Sequence, residues 1–150
     1  MKANPIILDS PDDAGHCLTH IIVKENESKT EKWLQELLYK HPNLLPIDAF
    51  DDSYGPPIPI GREVCHIDNL YVSPEGNLTI VETKLWKNPD KHRTVVAQVI
   101  DYARELAKWD YDKLCSAVLE SSRKRGEDEK ASLKEKVEAA LSKEDMQVHK

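Results

Sequence analysis

The sequence predicts an α/β domain, a small sheet packed against helices, and three observations carry that prediction. Two runs with a period of two, Glu63 to Val72 and Leu78 to Leu85, are joined by a short turn-forming segment. A well-capped amphipathic helix precedes them, and only helical patterns follow them.

In chain order, Ile6-Ile7-Leu8 and Leu18 to Val23 are short apolar runs separated by the turn formers Asp9 to Gly15, which suits a hairpin or two edge strands. Thr30 is an N-cap for a helix from Glu31 to about Lys40, with Trp33, Leu34, Leu37 and Leu38 as its apolar stripe. His41-Pro42 ends it, because a residue before proline avoids the helical region. Residues 48–61 read as irregular chain, since Pro56-Pro57-Ile58-Pro59 is unsuited to an interior strand. In the segment Ser73 to Asn77, Gly76 supplies the positive φ that closes the turn. If Val72 pairs with Leu78, antiparallel counting sets Asp68 opposite Glu82, and Lys84 shares the face of Glu82. A second long helix is predicted from Pro89 or Asp90 to about Lys108, with Val95, Val99, Tyr102, Ala103 and Leu106 along one side. Further helices are predicted over 110–125 and 131–141, divided by a charged break around Gly126.

With 150 residues the chain makes one domain, ending in a helical extension over 110–150. No stop signal marks Lys150, which leaves a longer protein as an expectation. The start Met1-Lys2-Ala3-Asn4-Pro5 lacks a basic region followed by a long apolar run, so no secretory signal is expected, and no window reaches the apolar length of a membrane span. The cysteines Cys17, Cys65 and Cys115 are odd in number and lack zinc-ligand spacing, so free thiols in a reducing cytoplasm are expected, with Cys65 buried in its strand. The net charge of −6 argues against a protein that coats nucleic acid non-specifically. Residues 84–93 nevertheless gather Lys84, Lys87, Lys91 and Arg93 against one acid, Asp90.

Asp68 and Glu82 on adjacent strands would converge as hard oxygen ligands for Mg²⁺, with Mn²⁺ as a substitute and the Thr83 carbonyl as a third protein ligand. Such an ion neutralises phosphoryl oxygens and makes a bound water nucleophilic, while Lys84 would orient or activate that water. Two carboxylates facing each other across a sheet are destabilising unless a cation lies between them. Leu70, Val72, Leu78 and Ile80 share their face, which argues against a purely solvated pair.

Ile67-Asp68, a 13-residue interval and then Glu82-Thr83-Lys84 resembles the PD-(D/E)XK nuclease superfamily, the restriction-endonuclease-like fold. The resemblance covers about residues 28–109, which it implies are the core of the domain. It implies a core of helix, three-strand meander, second helix and further strand, with a central mixed sheet flanked by helices. Glu31 resembles the family's acidic residue on the first helix; Glu36 is its rival but lies off the side shared by Glu31, Leu34, Gln35 and Leu38. Gln98 and Tyr102 resemble a glutamine–tyrosine pair on the second helix. Ile67 replaces the motif's proline, which itself does no chemistry, and no pattern for the fourth core strand follows Leu85.

What the resemblance implies is a Mg²⁺-dependent nuclease hydrolysing phosphodiester bonds in DNA. Its site would be Glu31, Asp68, Glu82, Lys84 and Gln98, with Lys87, Lys91, Arg93 and Tyr102 contacting nucleic acid. Family members often cut duplexes as dimers, so a homodimer is a further expectation. The alternative is a catalytically silent nucleic-acid-binding or protein-interaction module on the same fold.

Overall fold

The computed structural model describes residues 6–7, 16–17, 30–47, 49–51, 53–84, 90–126 and 132–148, with side chains over 30–47, 49–51, 53–84, 93–126 and 132–142. Two strands, β1 (Ile6–Ile7) and β2 (His16–Cys17), pair antiparallel. The run Leu18 to Val23 lies outside the described residues.

Helix α1 (Glu31–Lys40) has the predicted bounds. Thr30 Oγ1 accepts the N–H of Trp33 at 3.3 Å, and Glu31 places a negative charge in the first turn. His41 is the C-cap, followed by a 3-10 turn over Pro42–Leu44.

Among the described residues the main sheet has three strands, in the order β3 (Ile58–Val64), β4 (Ile67–Val72) and β5 (Leu78–Val81). It departs from expectation in four ways. The chain enters β3 at Ile58, so Pro59 stands in a strand; β3 is an edge, and its register shifts between Pro59 and Gly61, which is where a proline is tolerated. The run Glu63 to Val72 is two strands, reversed at Cys65 and His66. Both have positive φ, 47° and 77°, as a two-residue type I′ hairpin requires, although neither is glycine or asparagine. Cys65 is therefore exposed. Finally, all described pairings of this sheet are antiparallel, not mixed, and each described element after β5 is a helix. The turn after β4 forms as predicted, with Gly76 at φ 90° and the Gly76 N–H bonded to the Ser73 carbonyl at 2.9 Å.

Helices α2 (Asp90–Leu106), α3 (Tyr111–Lys124) and α4 (Leu133–Val148) follow. Asp110 caps α3, and Ser132 and Glu135 form a reciprocal capping box on α4. Helix α4 continues past the expected end at Leu141, because neither glycine nor proline interrupts it. Alternation along β4 divides the two faces of the sheet. Leu70 packs in one cluster with Ile60, Val64, Leu106, Val118 and Leu133, so α2, α3 and α4 all contribute to the core. On the α1 side, buried Asn69 donates to the Gln35 carbonyl at 3.1 Å. Ala103 is exposed, and the inner side of α2 carries Val95, Gln98, Val99, Tyr102 and Leu106.

Two cations tie the helices to the edge of β3. Arg125 donates to the Arg62 carbonyl and to Ser121 Oγ, and Lys136 Nζ donates to the Ile60 carbonyl at 3.3 Å and to Ser122 Oγ at 3.2 Å. These contacts satisfy carbonyls that would otherwise invite a foreign strand. Lys136→Met, which keeps much of the aliphatic stem, is expected to cost about 1–3 kcal/mol by stranding acceptors in buried Ile60 and Ser122. Urea unfolding measures it, and a loss below about 0.5 kcal/mol, the scatter of ordinary surface changes, would contradict this role.

Candidate functional site

The ladder between β4 and β5 has the anticipated register, from Val72↔Leu78 to Asn69↔Val81, and it stops one pair short of Asp68 and Glu82. The reason is local. Asp68 Oδ2 accepts both the backbone N–H of Thr83, at 2.8 Å, and its Oγ1–H, at 2.7 Å. The side chain of Asp68 takes over from the β4 backbone as the partner of residues 82–84, and β5 ends at Val81 rather than at Leu85, which itself lies outside the described residues.

Glu82 turns its carboxylate inward. Its side chain is 3% exposed, and Oε1 pairs with Lys84 Nζ at 2.6 Å, while Oε2 is buried without a hydrogen-bond partner. The Lys84 side chain is 31% exposed. Burial alone would lower its pKa, but the Glu82 hydrogen bond and the charges of Glu82, Asp68 and Glu31 outweigh that and raise it above the ordinary value. Lys84 is thus an ammonium at neutral pH in the metal-free protein. The cation that the carboxylates require is in part Lys84 itself.

Glu31, at the start of α1, lies within electrostatic reach of Lys84, whereas Glu36 is exposed and paired with Lys40 at 2.5 Å. Tyr102 is half-buried against the core, and its hydroxyl pKa is raised first by burial and then by the charge of Glu82. Gln98 is partly buried, and its Oε1 is a second buried acceptor without a partner. Glu31, Asp68, Glu82, Lys84 and Tyr102, from four separate segments, therefore share one electrostatic environment. Arg93 is exposed in the first turn of α2. Lys87 and the side chain of Lys91 lie outside the described residues.

The site has a side that the sequence did not signal. Asp68 lines a cleft of about 540 Å³ together with Glu63, Cys65, His66, Ser121 and Lys124. The pairs Arg62↔Asn69 and Val64↔Ile67 set Glu63 across from Asp68. Nothing in the residue pattern announced the Cys65-His66 reversal that creates this wall. A separate cavity of about 800 Å³, between α1, the following loop and α4, includes none of the predicted site residues.

Hard oxygen donors suit Mg²⁺, and the partnerless Glu82 Oε2 in a buried position fits a cation. Among the described residues no group of three or more His, Cys, Asp or Glu side chains is arranged to hold a metal. An ion here would rest on two carboxylates with water in most other positions, a coordination that Mg²⁺ favours. Among the described residues no helix is long and apolar enough to cross a membrane. No family model, curated protein or solved structure matches the chain.

The raised pKa of Lys84 makes a linkage prediction. A raised folded-state value contributes stability that is present below the ordinary 10.5 and is lost as pH rises through the folded value. In chelator, the difference in unfolding free energy between wild type and Lys84→Met is expected to shrink above pH 10.5. A difference unchanged across that range would contradict the ion pair.

Proposed function

We propose that the protein is a Mg²⁺-dependent nuclease that hydrolyses phosphodiester bonds in DNA. The observation that carries this reading is the gathering of Glu31, Asp68, Glu82 and Lys84 at one end of the sheet, with one Glu82 oxygen buried and lacking a donor. The likeness of Asp68 and Glu82-Thr83-Lys84 to the PD-(D/E)XK pattern, and the meander that follows α1, support the same reading. When bound, Mg²⁺ supplies charge neutralisation on the phosphoryl oxygens and a nucleophilic water.

Asp68 and Glu82 hold the ion, and the Thr83 carbonyl is a third candidate ligand. Lys84 keeps its ammonium beside Glu82 and acts as a fixed positive charge toward the phosphoryl group as negative charge builds there. Glu31 and Tyr102 border Lys84 and Glu82, and Gln98 offers a further acceptor from α2. Arg93, exposed in the first turn of α2, provides a phosphate contact, and Lys87 and Lys91, which precede it in the sequence, carry the same expectation.

The silent-module reading has one specific observation in its favour: each carboxylate already has a protein partner, Lys84 for Glu82 and Thr83 for Asp68. Cleavage separates the two. In Mg²⁺ the wild type is expected to cut linear or circular DNA under single-turnover conditions. Lys84→Ala is expected to abolish cutting while DNA affinity, measured in Ca²⁺, stays within a few-fold. Wild type that binds DNA but cuts no faster than Lys84→Ala would overturn the enzyme and leave the module. Arg93→Ala is expected to weaken binding to every DNA sequence and reduce the salt slope by about 1; an unchanged slope removes Arg93 from the interface.

A further inference from the structure

Thr83 makes a contact that neither the metal-ligand role nor the sheet requires. Its side chain is on a residue only 4% exposed, and its two donors converge on the same atom, Asp68 Oδ2, at 2.7 and 2.8 Å. A carboxylate oxygen has two lone pairs, so Oδ2 is saturated by this pair of charge-assisted bonds. The backbone donor fixes the distance between the 82–84 segment and Asp68. The hydroxyl donor, arriving from a second direction, fixes the rotation of the carboxylate group. Only Oδ1 then remains to meet a cation.

We infer that Thr83, through its hydroxyl, is a positioning and metal-selectivity residue, because it makes Asp68 a one-oxygen ligand. The inference rests on the reading of Asp68 as a ligand for a divalent cation. Its content lies in the difference between hard cations. Mg²⁺ and Mn²⁺ accept a compact octahedral set of single oxygens, whereas Ca²⁺ takes six to eight ligands and readily uses both oxygens of one carboxylate. Locking Oδ2 into hydrogen bonds denies Ca²⁺ the second oxygen and costs the smaller ions nothing. Freed from the hydroxyl, Asp68 would turn, its fixed oxygen would be lost to Mn²⁺, and a two-oxygen grip would open to Ca²⁺. Thr83 itself touches no substrate in this scheme and acts only through Asp68.

Calorimetric titration of the full chain with Mn²⁺ and, separately, with Ca²⁺ tests this without reference to cleavage. Thr83→Val keeps the backbone donor and the side-chain shape but loses the hydroxyl. It is expected to weaken Mn²⁺ binding about 10-fold or more, the scale on which groups that orient metal ligands act. Its Ca²⁺ affinity should hold or rise, so that the Mn²⁺ preference contracts. Thr83→Ser, which restores the hydroxyl, should return both affinities to wild type. Thr83→Ala makes the same deletion and replaces the valine variant if that one fails to fold.

Asp68→Ala separates this inference from the reading beneath it. If Asp68→Ala binds Mn²⁺ as wild type does, the metal site itself is wrong. If Asp68→Ala loses binding while Thr83→Val and Thr83→Ala keep wild-type Mn²⁺ and Ca²⁺ affinities, the site stands and Thr83 is only a packing residue. An equal loss for both ions in the Thr83 variants, with lowered thermal stability, would likewise reduce its role to holding the fold.

Discussion

Two hydrogen bonds on one oxygen organise this molecule around Asp68. The β4–β5 ladder runs in regular register until Asn69↔Val81, and there the acceptor for the next segment becomes a side chain instead of a backbone carbonyl. This substitution of partners stops β5, holds residues 82–84 against β4 and gives Glu82 room to turn inward and meet Lys84. Had the ladder continued, Asp68 and Glu82 would have stood as a bare cross-strand carboxylate pair, an unfavourable arrangement. Each carboxylate instead has protein donors in the metal-free protein, and the buried Glu82 Oε2 is the atom that these donors leave over.

The two faces of the sheet differ in kind. On one face, Leu70 packs in an apolar cluster with Leu106, Val118 and Leu133. The α1 face is polar: the buried atoms Gln35 Oε1, Asn69 Oδ1, Arg62 Nε and Tyr71 OH have no hydrogen-bond partners. Arg62 lies over the Tyr39 ring at 6.0 Å, and burial pushes the Tyr71 hydroxyl pKa upward. Water bridging such groups is the usual resolution in native proteins.

Much of this was legible because it is local. Thr30 and His41-Pro42 set α1 to the residue, and a five-residue turn with Gly76 set the β4–β5 register as far as Asn69↔Val81, beyond which the Asp68–Thr83 bonds replace the period of two. What was not legible depends on contacts between distant residues or on strained backbone. Cys65 and His66 adopt left-handed conformations without the glycine or asparagine that announces a type I′ turn, so a third strand was concealed inside an apolar run. Pro59 disguised the start of that strand, which only an edge position with a register shift explains. The Thr83 hydroxyl gave no signal, since threonine is an ordinary strand residue until a carboxylate faces it. The expected fourth strand had no pattern in the sequence, and among the described residues the sheet ends at β5.

The central claim is that Asp68 and Glu82 share one divalent cation. Anomalous diffraction from crystals equilibrated with Mn²⁺ tests it most directly. The account predicts a single strong peak between Asp68 Oδ1 and Glu82 Oε2, at about 2.0–2.3 Å from each oxygen, the range of small octahedral cations, with the Thr83 bonds to Oδ2 intact. A peak elsewhere, or none at millimolar Mn²⁺ while Lys84 stays on Glu82, would contradict it.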